Sequence, residues 1–147
     1  CLNIGLLPGD NPEISVDVIE DSCRFTCTNL PYGDVVRVLK AGPPTRGQKR
    51  LRYNLTDKSQ RDVYSLILKV LADNPPLVEI DMEELLQRIL KNLDSIKIAM
   101  QKVKDALKNW QKMLADYGPM YQVFEWKDDV IHIQDNLFLF YLRWSSI

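Results

Sequence analysis

The sequence predicts a mixed α+β fold, and three observations carry the prediction. Before residue 30, apolar and polar residues alternate in two stretches, the two-residue period of half-buried strands. From Met82 to Tyr117 the apolar positions recur at spacings of four and three residues, the pattern of a long amphipathic helix. After Gly118 the alternation returns, ending in an almost wholly apolar run. The expected architecture is N-terminal antiparallel strands, two helices (one long, heptad-patterned, about 82–117) and a C-terminal three-strand meander. It forms one domain over 1–147, with a mainly β segment at 1–55, a helical segment at 57–117 and the β meander at 119–147.

Pro8, Gly9, Asp10, Asn11 and Pro12 punctuate an irregular lead-in over residues 1–13. Ile14, Val16 and Val18 alternate with Ser15 and Asp17, and Cys23, Phe25 and Cys27 alternate with Arg24 and Thr26, so both stretches read as strands. Asn29 to Gly33 supplies a turn. Val35 to Leu39 favours a third strand through its β-branched content, although Asp34 as N-cap and Gly42 as a stop also permit a short helix. Gly42 to Gly47 must be a loop, and Leu51, Tyr53 and Leu55 alternate as an edge strand. Asp57, with Gln60 three residues on, reads as the cap of a helix whose stripe is Val63, Leu66, Ile67, Val70 and Leu71 and which ends at Asn74-Pro75-Pro76.

The long helix has the strongest signals. Asp81 and Glu84 have capping-box spacing, and Ile80 and Leu85 that of a hydrophobic staple. Acidic residues open it, lysines dominate later as the macrodipole prefers, and Gly118-Pro119 closes it. Its seam runs Met82, Leu86, Ile89, Leu93, Ile96, Met100, Val103, Leu107, Trp110, Leu114, Tyr117, which reads as heptad positions a and d. An unbroken helix of that length would span about 54 Å, against about 38 Å for a compact domain of this size. Part of the seam should then project, and an apolar stripe bare in water calls for a companion chain. Leu86, Ile89, Leu93, Ile96, Met100, Val103, Leu107, Trp110 and Leu114 are the candidate interface. Beyond Gly118, Tyr121 to Trp126, Val130 to Ile133 and Leu137 to Trp144 read as the meander.

The 147 residues are 46% hydrophobic and 27% charged, the composition of a globular domain. Nineteen basic and 20 acidic residues leave a net charge of −1, so no global field gathers polyanions, and nucleic acid is not the expected partner unless a local patch recruits it. No apolar run approaches the roughly 20 residues of a membrane span. The chain starts at Cys1 rather than Met, so a targeting signal could have preceded it. Three cysteines are too few for a disulfide scaffold and lean towards a reducing compartment. On a strand Cys23 and Cys27 would lie about 13 Å apart, too far to bridge. Asn54-Leu55-Thr56 matches a glycosylation sequon and points to secretion instead.

Few residues suggest chemistry. The loop from Gly42 to Lys49 falls short of a phosphate-binding loop: Gln48 stands where lysine is needed, Arg50 where a hydroxyl is needed, and two prolines remove amides. Arg46, Lys49, Arg50 and Arg52 form a candidate patch for an anionic partner. His132 is the sole histidine, and strand alternation puts it on the face opposite Ile131 and Ile133. No zinc ligand set or carboxylate pair stands out, and Trp110, Trp126, Trp144, Phe138, Phe140 and Tyr141 suit a core better than a pocket.

The sequence therefore points to a non-enzymatic protein–protein interaction module that assembles through the long helix with another chain or a second copy, using no cofactor or metal. The alternatives are a secreted, cytokine-like helical ligand with its seam closed internally, and a small-ligand carrier or enzyme built on the aromatic C-terminal strands and His132.

Overall fold

A computed structural model describes residues 13–147, so the lead-in expected over 1–13 lies almost wholly outside the described part. The element order is α1 (Val16–Cys27), α2 (Gly33–Ala41), β1 (Tyr53–Asn54), β2 (Gln60–Arg61), α3 (Val63–Leu71), β3 (Glu79–Asp81), α4 (Met82–Asn92), α5 (Met100–Tyr117), a 3₁₀ turn (Pro119–Tyr121), β4 (Phe124–Lys127), β5 (Val130–Ile133) and α6 (Asn136–Trp144). Helix and sheet are mixed, as expected, but the sheets are two small antiparallel ones and the described residues form six α-helices.

α3 is the centre. Every residue of it except Lys69 is buried, and a helix apolar all round must be enclosed. α2, α4, α5 and α6 pack about it. Its N-cap is Asp62, whose side chain accepts from the Ser65 amide at 2.9 Å, rather than Asp57. The three-stranded sheet has the order β3-β5-β4, with Ile80 opposite Ile131 and Trp126 opposite Ile131 from the other side. Ile80, Ile131, Ile133 and Phe124 turn inward and join the same core as the helices.

The mainly β segment at 1–55 is corrected over its described part to two helices followed by the short strand β1, which falls within the expected edge strand. Ser15 caps α1, accepting from the Val18 amide at 3.4 Å, with Asp17 in the first turn. The alternation of Ile14, Val16 and Val18 was the misleading signal, for all three are exposed. α2 takes the helical option and stops at Gly42, but its N-cap is Tyr32, not Asp34, which lies in the first turn and pairs with Arg37 at 2.7 Å. The third strand of the expected meander, Leu137 to Trp144, is α6, capped by Asp135, which accepts from the Leu137 amide at 3.0 Å. Its place in the sheet goes to β3, directly before α4.

The single long helix is also corrected. α4 ends at Asn92 and α5 starts at Met100. Between them Leu93 is extended (φ −84°, ψ 138°) and pairs with Leu55, while the Asp94 amide donates to Asn54 O at 3.0 Å and the Thr56 amide to Asn92 O at 2.9 Å. The segment after β1 thus takes the backbone groups that a continuing helix would have used. At 18 residues α5 measures about 27 Å and fits within the body of the domain.

Candidate functional site

The structure turns the expected interface inward. Ile89, Val103, Leu107 and Trp110 are fully buried, and Leu93 and Leu114 nearly so. Leu86 and Met100 are half-buried and pack on the core. Only Ile96, in the interrupted segment, stands out at 44% exposure, and Ile98 takes the inward position there instead. Breaking the helix removes the geometrical reason for a companion chain, because each half of the seam finds cover in its own protein. That closure also meets one requirement of the secreted-ligand alternative; against it, residues 124–127 and 130–133 are strands.

What the seam leaves outside is a polar helix face. The outward stripe of α5 is Gln101, Asp105, Lys108 and Lys112, spaced so that all four share one side of the helix. Asp105 is engaged within the helix, accepting from Gln101 at 2.8 Å. One flank is the hairpin tip: Asp128 and Asp129 both have positive φ (53° and 61°), the two-residue turn that fits twisted strands, and Asp129 holds Lys104 at 2.6 Å. The other flank is the basic loop. Arg50 and Leu51 face Lys102, Asp105, Ala106 and Asn109 across a shallow cleft, and the Lys102 ammonium lies 5.7 Å from the Tyr53 ring centre.

The loop patch divides. Arg46, Lys49 and Arg52 are exposed. Arg50 is structural: it donates to the carbonyls of Ala41 and Pro43, pairs with Asp62 at 3.2 Å and lies 4.7 Å from the Tyr64 ring centre. The loop therefore presents carbonyls, already occupied, where a phosphate cradle would present amides. Gly42 is required there, since its φ is 61° and a Cβ would come within 2.8 Å of the Tyr64 ring.

Asn54 is exposed on β1, its side-chain oxygen accepting from Gln60 at 2.8 Å. His132 stands on the outer face of the sheet, opposite both Glu79 and Glu125, with Nδ1 3.2 Å from Glu79. Cys23 and Cys27 are free thiols one helical turn apart on α1, not strand residues. Burial first, and the Cys23 neighbour second, push the Cys27 thiol pKa up, and its Sγ faces the Phe140 carbonyl at 3.9 Å rather than His132. Among the described residues no three histidine, cysteine or acidic side chains gather as a metal site, and no helix is long and apolar enough to cross a membrane. Trp110 and Phe138 are core, whereas Trp126 and Trp144 are half-buried at separate places, so the aromatic residues line no common pocket.

The exposed α5 stripe next to the Arg50–Leu51 segment of the basic loop is not legible in the sequence as one surface. The lysines were legible as helix-dipole partners, but only the break before Met100 shows which of them point away from the core. No protein-family model matches the chain, and no curated protein or solved structure is significantly similar to it.

Proposed function

We propose that this chain is a non-enzymatic recognition module whose contact surface is the outer face of α5 with the adjoining basic loop, and whose partner is duplex DNA. The observation that carries the reading is the order α3, β3, α4, α5, β4, β5, with β3 paired to the second strand of the hairpin. That is a helix-turn-helix with a lengthened turn, carried beside a β-wing. In such an arrangement the second helix is the one offered to the major groove, and here it offers polar side chains, Gln101 bonded to Asp105 together with Lys108 and Lys112, rather than apolar ones. Lys102, Lys108 and Lys112 on α5, and Arg46, Lys49 and Arg52 exposed on the loop whose Arg50 and Leu51 face α5, supply positive charge on a chain of net charge −1.

The test is fluorescence anisotropy with a labelled duplex of about 25 base pairs across a salt series. Binding should weaken steeply with salt, by roughly 0.9 log units per log unit of salt for each phosphate neutralised, and Lys108→Ala or Lys112→Ala should each lower that slope by about one contact. Absence of binding at 50 mM salt and 100 µM protein, about the weak end of non-specific affinity, would sink the reading, as would variants that bind unchanged.

A protein partner is the second reading, and α1 favours it. Val18 and Phe25, seven residues apart on this peripheral helix, share one side of it and are 56% and 72% exposed. Sedimentation velocity at increasing concentration, with Phe25→Ser as control, tests self-association through that face. A monomer at all concentrations counts against a second copy as the occupant.

A further inference from the structure

α5 has two flanks of opposite charge. Lys102 and Lys104, two residues apart, leave the helix on opposite sides. On the Lys102 side lies the basic loop, whose Arg50 and Leu51 line a cleft with it. On the Lys104 side lies the hairpin between β4 and β5, whose tip carries the exposed carboxylates of Asp128 and Asp129. The tip is held in place: the Asp129 carbonyl accepts from the Met82 amide at 3.0 Å, and the Asp129 carboxylate takes Lys104 at 2.6 Å. The first of these contacts also brings the acidic start of α4, where Asp81 and Glu83 are exposed, to the same flank. Asp81, Glu83, Asp128 and Asp129 thus stand there against the ammonium groups of Lys104 and Lys127.

We propose that the hairpin tip is a brake on the α5 surface. Asp129 occupies Lys104 in the place a phosphate would take, and Asp128 repels the nucleic-acid backbone, so a duplex is admitted from the loop side. This brake rests on the DNA reading and gives it a direction of approach, with two residues that oppose binding. The length scales allow it. A helix with its side chains is about 10–12 Å across, and the Debye length is about 10 Å at 0.1 M salt. A duplex on the outer stripe of α5 therefore feels the charges of its flank at low salt and loses them at high salt. One unit charge about 10 Å from a phosphate in water is worth roughly a factor of two in affinity. Releasing Lys104 adds a whole phosphate contact, whose counterion release is worth roughly ten-fold at 50 mM salt.

The experiment is the anisotropy titration with the labelled duplex, run on the whole protein and on three variants. Asparagine accepts the positive φ of this turn, so Asp128→Asn and Asp129→Asn keep the hairpin. Relative to the wild type at 50 mM salt, Asp128→Asn should bind roughly two-fold tighter. Asp129→Asn should bind roughly ten-fold tighter, with a salt slope steeper by about 0.9. A gain of affinity cannot come from a damaged fold. Asp17→Asn removes an exposed carboxylate from α1, which packs on α6, and should leave the affinity unchanged. Unchanged or weaker binding by either tip variant, or an equal gain from Asp17→Asn, overturns the brake while wild-type binding still upholds the DNA reading. A wild-type protein that does not bind sinks both.

Discussion

The indole nitrogen of Trp110 donates to the backbone carbonyl of Leu39 at 2.8 Å, tying the middle of α5 to the end of α2 inside one chain. Trp110 is also fully buried, edge-on to Phe124 at 5.6 Å and tilted against Tyr64 at 6.1 Å. The seam therefore acts on folding. Trp110→Ala should cost about 3–5 kcal/mol and Leu107→Ala about 2–5 kcal/mol in urea unfolding. Because the lost contacts are internal, the melting temperature of both variants should not depend on protein concentration; a strong dependence would return the seam to an intermolecular role.

The same pair shows what the sequence could and could not convey. The period of Met100 to Leu114 correctly marks an apolar helix face, and Asp81 with Glu84 correctly marks where α4 starts, the Glu84 backbone amide donating to Asp81 Oδ1 at 2.8 Å. Periodicity cannot say what covers a face. It also ran across the break at residues 93–99, since a spacing of four and three survives when a helix is interrupted in phase; the deciding partner, the Asn54 backbone, is some 40 residues away in sequence. Leu137 to Trp144 was misread for a related reason: an all-apolar run does not distinguish a buried strand from a buried helix, and the one local discriminator was Asp135 as a cap. The α5 surface was hidden for lack of the same knowledge of orientation, whereas the exposure of Arg46, Lys49 and Arg52 followed from their loop composition alone.

Arg88 is a charged residue that the fold uses structurally. It is 7% exposed, pairs with Glu84 at 2.8 Å, and donates to the carbonyls of Asp73 at 3.2 Å and Pro75 at 2.8 Å after the end of α3. Arg88→Leu should be strongly destabilising, at about 1–3 kcal/mol for each carbonyl left dry. Glu84→Gln should cost less than about 1 kcal/mol, because the half-exposed carboxylate of the pair is solvated in any case. Equal losses from the two substitutions in denaturant unfolding would contradict this division of roles.

Asp57 gives the acid limb a local cause. Hydrogen bonds from the Ser59 hydroxyl and the Ser59 amide, together with Lys69 at 3.4 Å, lower its pKa to about 2. A carboxylate whose folded pKa is depressed stabilises the protein above its ordinary value and loses that contribution as the pH falls through the folded value. The wild-type protein should therefore lose stability between about pH 4 and pH 2, and Asp57→Asn should flatten that part of the curve. An identical acid limb in the two proteins would show that Asp57 is not coupled to folding.

The alkaline limb should depend on Tyr32. Its hydroxyl donates to Asp135, the residue that caps α6, and its ring meets Phe138 at 5.8 Å and Tyr141 at 5.6 Å between centres. Burial first, and then the hydrogen bond to Asp135 and its charge, raise the phenol pKa to about 12. The folded protein thus holds the proton more tightly than the unfolded chain, whose phenol titrates near 10. The stabilisation is complete below about pH 10 and is lost as the pH rises through about 12. Tyr32→Phe keeps the ring contacts and leaves Asp135 bonded to the Leu137 amide, so α6 should persist while stability at pH 8 falls by about 1.5–3 kcal/mol, the worth of a hydrogen bond to a charged group. Unfolding measured from pH 8 to pH 12 should then show the two proteins converging as the wild-type phenol ionises. Curves that stay parallel across that range would mean that the Tyr32–Asp135 contact contributes nothing through its proton.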